Sequence, residues 1–195
     1  MHGLVSRHRH WATPGRGRVA LGAVLVLTCL TLGGASAATD TVEALMRDFG
    51  VGPLSGEPSP VSLPDLAGGR ITLESQRGRL VMLYFWATWC PFCTREMPST
   101  LETIHKDFRD QGLAVLAINL GESRAAVASW VTQHGLTFPV LLDESGAVAG
   151  AYRIRGTPTV ILVGRRGQLV GRTVGSREWD GEGRALITAL LAARP

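Results

Sequence analysis

The chain has 195 residues, enough for one ordinary domain with its own core and a modest extension. A hydrophobic fraction of 45% against 18% charged residues excludes a disordered polyelectrolyte. The formal net charge of +4 does not mark a nucleic-acid surface: Arg7, Arg9, Arg16 and Arg18 precede residue 38 in a segment without Asp or Glu, and the remainder is formally neutral.

The basic N-terminus is followed by an apolar run over residues 19–32 and then by small residues, with Ala35-Ser36-Ala37 in the pattern a signal peptidase reads. The run has the length of a signal-peptide core; extended through residue 38 it approaches the roughly 20 residues that span a bilayer. Residues 1–37 are therefore read as a signal peptide or a membrane anchor, with a tether through residues 19–38 as the second possibility. Cys29 sits inside the apolar run after Thr28, where it reads as a small hydrophobe.

Residues 38–60 are read as a short helix and a linker. Val42, Leu45, Met46 and Phe49 share one face of a helix over 41–49, which either packs on the domain or spaces it from a membrane. Residues 50–60 (GVGPLSGEPSP) are dense in Gly, Pro and Ser and read as an irregular arm.

The domain proper spans 61–195. Residues 61–63 and 70–73 flank a Pro/Gly-rich turn and predict a β-hairpin. Residues 80–86 (LVMLYFW) form a continuous apolar run, as in a strand buried on both faces. A helix over 94–109 places Met97, Leu101, Ile104 and Phe108 on one face. A second buried strand (113–120), a helix over 123–134 capped by Ser123, a strand (138–142) and a short helix (147–152) follow. Two strands, 159–163 and 168–174, join through Gly164-Arg165-Arg166-Gly167, read as a solvated turn, and a helix over 179–193 closes the chain. Alternating strands and helices that end in an antiparallel pair predict a three-layer α/β/α sandwich with an N-terminal β-hairpin extension.

Without the leader, the cysteines reduce to Cys90 and Cys93. A pair so close in sequence closes almost no loop and would add little as a structural staple, so chemistry explains it better. Pro91 suits the first position of a helix, which leaves Cys90 at the helix N-terminus among unpaired N–H groups. Such a site lowers a thiol pKa from about 8.5 to between about 3.5 and 7.5. Cys93 follows one turn later, within reach of Cys90, so Cys90 is assigned as the attacking thiolate and Cys93 as the resolving thiol. Zinc would need further ligands, and His105 and His134 are distant in sequence; haem attachment would need His where Thr94 stands. No metal and no cofactor are assigned.

The segment FWATWCPFC over 85–93, with Glu96, Pro98, FPVLLD over 138–143 and GTPT over 156–159, resembles the thioredoxin superfamily and within it the TlpA/ResA-like extracytoplasmic branch, over residues 59–191. The resemblance implies a thioredoxin-like fold and a thiol–disulfide oxidoreductase that reduces disulfides in exported proteins, for example during cytochrome c maturation. It implies an inner-membrane thiol donor and a periplasmic or extracytoplasmic setting. It also implies that Pro158 forms a cis-proline loop facing the dithiol; an ordinary trans proline starting a strand is the alternative. The backbone of Thr157 would then pair with an extended substrate, and Trp89, Pro91 and Phe92 would complete the substrate surface. Glu96 is either the proton acceptor for Cys93 or a first-turn carboxylate favoured by the helix dipole. Tyr84 stands where cytoplasmic thioredoxin has a buried aspartate, which moves the proton question onto Glu96. An oxidant of exported thiols and a copper- or zinc-handling module remain the alternatives. A thiol peroxidase is disfavoured because Ala87 occupies the threonine position of the peroxidase pattern.

Overall fold

The computed structural model describes residues 33–193. The charged leader and apolar run through Leu32, Cys29 included, lie outside the described residues. The strand β4 (Leu80–Trp86) is buried at every position, as its unbroken apolar run predicts. It pairs in parallel with β5 (Leu113–Leu120) on one edge and antiparallel with β7 (Thr159–Val163) on the other. Outward from these lie β6 (Val140–Asp143), parallel to β5, and β8 (Leu169–Val174), antiparallel to β7.

The two parallel steps require crossovers, and helices supply them. Between β4 and β5 the chain is helical through α2 (Pro91–Glu96) and α3 (Glu102–Phe108), and between β5 and β6 lies α4 (Arg124–Gln133). Ser123 caps α4 as predicted, accepting from the Ala126 N–H at 3.4 Å. Asp143 at the end of β6 accepts from the N–H groups of Val148 and Ala149 and so anchors α5 (Ala147–Ala151). The chain closes with α6 (Glu182–Ala192), which begins after Trp179 and not at it.

The alternation of β4 divides the core. Leu80, Met82, Tyr84 and Trp86 face the layer that holds α2, α3 and α6, while Val81, Leu83 and Phe85 face the other. That second layer is thin, consisting of α5 and the hairpin of β2 (Ser62–Pro64) and β3 (Arg70–Thr72). The sandwich and its hairpin extension are those expected from the sequence.

Three further details differ from expectation. The helix over 94–109 is not uniform: residues Met97–Leu101 form a π-turn around Pro98. Proline has no N–H to donate and its ring crowds the carbonyl one turn back, so the helix widens there. The hydroxyls of Ser99 and Thr100 donate to the carbonyls of Arg95 and Glu96 beside the widened turn. Arg165 is not a simply solvated turn residue, since its Nε is buried and its carbonyl accepts from the Gly78 N–H at 2.9 Å. The third difference concerns the arm. Helix α1 (Gly33–Asp48) starts earlier than 41 and packs on the domain, burying Met46 and Phe49, and Gly52–Pro53 (β1) extends the sheet beside β8. Leu54 donates to Val170 and Leu169 to Gly56, so the supposed linker is laid along the sheet edge. The sheet order is thus β1-β8-β7-β4-β5-β6.

This edge is built around Gly171. A Cβ there would lie 2.5 Å from Val51 Cγ1, 2.7 Å from Met46 Cε and 3.1 Å from the Gly52 carbonyl oxygen. Gly171→Ala is expected to cost about 1–3 kcal/mol through overpacking, read as a lower denaturation midpoint, with faster proteolysis of the 49–56 arm.

Candidate active site

The site is suspended from the C-terminal end of β4. Beyond Trp86 the chain turns through Ala87, Thr88 and Trp89 to Cys90, with the Cys90 N–H donating to the Ala87 carbonyl at 3.2 Å. A carboxylate from the neighbouring strand connection holds this turn. Glu122 accepts from the Thr88 N–H at 2.7 Å, from the Thr88 hydroxyl, and from Asn119 Nδ2 at 2.7 Å. Asn119 is fully buried opposite Trp86 in the β4–β5 register, so the clamp is itself fixed by the sheet.

Cys90 is the N-cap of α2 and Pro91 the first helical residue. The Cys93 N–H points at Cys90 Sγ from 3.2 Å, supplying one of the donors that a helix N-terminus leaves unpaired. The two sulfurs are joined in a disulfide with a Cα–Cα distance of 5.3 Å. Cys93 is wholly buried and Cys90 only 2% exposed, while Trp89 is 69% and Phe92 53% exposed. Two large apolar side chains thus flank a nearly covered sulfur, and the Arg95 guanidinium lies 5.8 Å from the Phe92 ring centroid. Large apolar groups left in water at one spot are the chemistry of a docking surface.

The Thr157–Pro158 peptide bond is cis. The Thr159↔Phe85 pairing puts this turn at the same end of the sheet from which the dithiol loop departs. The turn is pinned by Thr159 Oγ1, which donates to the Gly156 carbonyl at 2.7 Å, and by the Gly175 N–H on the Pro158 carbonyl at 2.8 Å. Pro158 is buried and Thr157 half-exposed.

Glu96 is buried at the end of α2, one turn past Cys93. Its carboxylate accepts from Ser176 Oγ at 2.6 Å, from the Arg177 N–H at 3.3 Å and from Trp179 Nε1 at 2.7 Å. Burial pushes its pKa above the ordinary carboxylate value, and these donors oppose the rise without cancelling it. Tyr84 is fully buried, and its hydroxyl lies close enough to feel the Glu96 charge. It misses hydrogen-bond geometry and has no partner among the described residues; burial first, and the Glu96 charge second, push its pKa strongly upward.

Sequence reasoning located Cys90, Cys93 and Glu96 on one helix, but missed both sets of groups that hold them. Ser176, Arg177 and Trp179 lie about 80 positions from Glu96 in the chain, and no local pattern connects them. Glu122 carried one weak signal, a carboxylate just past a buried strand and before a helix cap.

Because the native state keeps Glu96 protonated to higher pH than the unfolded chain does, its contribution to stability is present at low pH and lost as pH rises through the raised pKa. Glu102 works oppositely. Burial would raise it, but Thr137 and Lys106 hold it low, so its contribution is lost as pH falls. Glu96→Gln in the oxidised protein is therefore expected to remove a decline in stability that sets in as pH rises above the ordinary carboxylate range, measured by denaturant unfolding at a series of pH values, and to leave the acid limb unchanged.

A family model described as the AhpC/TSA family matches residues 57–172. The protein named thiol-disulfide oxidoreductase ResA from Halalkalibacterium halodurans is 40% identical over 108 residues, covering 55% of this chain and 61% of that protein. ResA from Bacillus subtilis is 38% identical over 114 residues, covering 58% and 63% respectively. The match thus spans a little over three-fifths of the length of these relatives. In three dimensions, a thiol:disulfide interchange protein of the thioredoxin family from Chlorobium tepidum superposes with a TM-score of 0.64 at 22% identity, over 71% of this chain and 98% of that one. StoA from Bacillus subtilis gives 0.57 at 23% identity, over 66% and 95%. At those identities the superpositions speak to the fold alone. The matched model, together with the fold and the helix-capping dithiol, makes the chain a member of the AhpC/TSA family, with the thioredoxin-like fold of the ResA/TlpA-like thiol–disulfide oxidoreductases.

Proposed function

We propose that this protein is an extracytoplasmic thiol–disulfide oxidoreductase that reduces disulfides in exported proteins, such as apocytochrome c, with Cys90 as nucleophile and Cys93 as resolving thiol. The observation that carries the reading is the position of Cys90 Sγ as the N-cap of α2, with the Cys93 N–H directed at it. An N–H donor and the positive end of the helix stabilise a thiolate over a thiol.

In the reduced protein the Cys90 thiolate attacks one sulfur of a substrate disulfide. A Cys90–substrate bond forms, the substrate S–S bond breaks, and one substrate thiolate leaves. Cys93 then loses its proton and attacks Cys90 Sγ, which releases the second substrate thiolate and leaves the Cys90–Cys93 disulfide. Two electrons pass to the substrate, and its two thiolates take up protons. Glu96, buried one turn past Cys93 and made more basic by that burial, is the acceptor for the Cys93 proton. Trp89 and Phe92 supply apolar contact to the substrate, Pro91 keeps the helix start rigid, and the backbone of Thr157 before Pro158 offers an edge for an extended segment.

No cofactor enters this cycle; the electrons that restore the dithiol come from a membrane-bound thiol donor, since an oxidising compartment would otherwise leave the pair oxidised. The basic, apolar leader over 1–37 supports export or tethering of the domain over 61–195. Among the described residues no helix is long and apolar enough to cross a membrane.

Cys93→Ala is expected to accumulate mixed disulfides between Cys90 and exported proteins, visible as species on non-reducing gels that dithiothreitol removes. Cys90→Ser is expected to abolish both the adducts and disulfide reduction. The reduction potential of the pair should lie at or below about −220 mV; a value near −120 mV, that of a strong oxidant, would overturn the reductive direction.

A further inference from the structure

The donors that hold Glu96 are themselves backed by the N-terminal arm. Phe49, the last apolar residue of the α1 face, packs edge-on against Trp179, with ring centroids 4.9 Å apart and an interplanar angle of 64°. Both rings sit on α6 at Gly183, where a Cβ would lie 2.8 Å from Phe49 Cζ and 3.3 Å from Trp179 Cε3. Trp179 is fully buried and spends its one N–H on Glu96. The next residue, Gly50, turns the chain at a φ of +75° and brings its Cα against the Arg177 guanidinium: a Cβ there would lie 3.1 Å from Arg177 Nη2. Arg177 supplies its backbone N–H to Glu96, and its side chain donates to the Ser176 carbonyl at 2.9 Å. The loop that donates to Glu96 thus rests against the C-terminal turn of α1 at two points.

We propose that the C-terminal turn of α1 is a positioning element for the Glu96 carboxyl, in which Phe49 holds the Trp179 indole and Gly50 seats Arg177, so that docking of the N-terminal arm sets the proton affinity of the group beside the dithiol. The consequence for turnover rests on the reading of Glu96 as the acceptor for Cys93. The groups facing Glu96 are Tyr84 from β4 and Ser176, Arg177 and Trp179 from the loop before α6, with Cys93 one turn earlier on the same helix; Asp48, Glu178 and Glu182 border the outer side of the contact. Burial favours the protonated carboxyl and the donors favour the carboxylate, so a donor lost through misplacement of Trp179 moves the balance toward the proton.

The test is a carboxyl-resolved NMR titration of Glu96 in the oxidised full-length chain, with Glu96→Gln used for assignment. Trp179→Phe, which keeps the ring and deletes the N–H, is expected to raise the Glu96 midpoint by about one pH unit, a tenfold change in its protonation equilibrium. Phe49→Ala is expected to raise it in the same direction, and Phe49→Leu, which carries the test if the alanine variant does not fold, to raise it less. Leu63→Ala, a core truncation in the hairpin on the opposite face, should lower stability and leave the midpoint in place. A midpoint that Phe49 variants leave unmoved or lower, as water entering a loosened core would do, overturns the proposal. So does an equal shift from Leu63→Ala. Disulfide exchange is assayed on the same samples: the expected titration shifts from an inert dithiol support the positioning role and overturn only the functional reading.

Discussion

The central strand β4 is buried along its whole length and hydrogen-bonded on both edges, and that makes its C-terminal end a fixed point. Seven consecutive apolar residues leave it no solvent-facing side, so its register against β5 and β7 is set by packing on two faces at once. Whatever follows Trp86 therefore departs from a rigid edge. The chain turns once and enters a helix whose N-cap is Cys90. A reactive sulfur held there has its position set by the sheet and its electrostatics set by the helix end, the two things that disulfide exchange requires.

Two carboxylates bracket this arrangement and do different work. Glu122 reaches the turn before Cys90 and accepts a backbone N–H, a hydroxyl and a side-chain amide, an array that fixes the loop. Glu96 lies behind the second cysteine, buried and facing three donors from a loop some 80 residues further along the chain. Its proton affinity reflects a contest between desolvation and hydrogen bonding, and such contests shift with small displacements of the donors. The π-turn at Pro98 follows directly, so the helix changes register between the dithiol region and the segment that Glu102 fastens to Thr137.

The arm before the domain is part of the machine's frame. Its glycines and prolines suit an irregular strand laid against the edge of β8, and Gly171 supplies the space that lets Val51 and Met46 approach. Phe49 carries that contact on to Trp179 and hence to Glu96. An edge strand covered in this way is also protected from pairing with another chain.

Much of this was legible in the residues. The apolar run of β4, Pro91 behind Cys90, the spacing of the two cysteines and the Ser123 cap are local patterns, and local patterns report strands, helix starts and helix faces. The placement of Glu96 one turn past Cys93 is also local. Its partners are not: Ser176, Arg177 and Trp179 meet it only because the sheet returns through β7 and β8 and delivers the loop before α6 to the end of α2. The arm reads as a linker by composition because Gly and Pro signal irregular backbone whether or not that backbone is docked. Spacing along single elements is enough to establish the fold class, the cysteine pair and the helix end on which that pair sits. Tertiary structure alone decided what surrounds the carboxylates and where the arm lies, because hydrogen bonds and ring contacts between distant segments depend on how the sheet is threaded, which no short stretch of residues records.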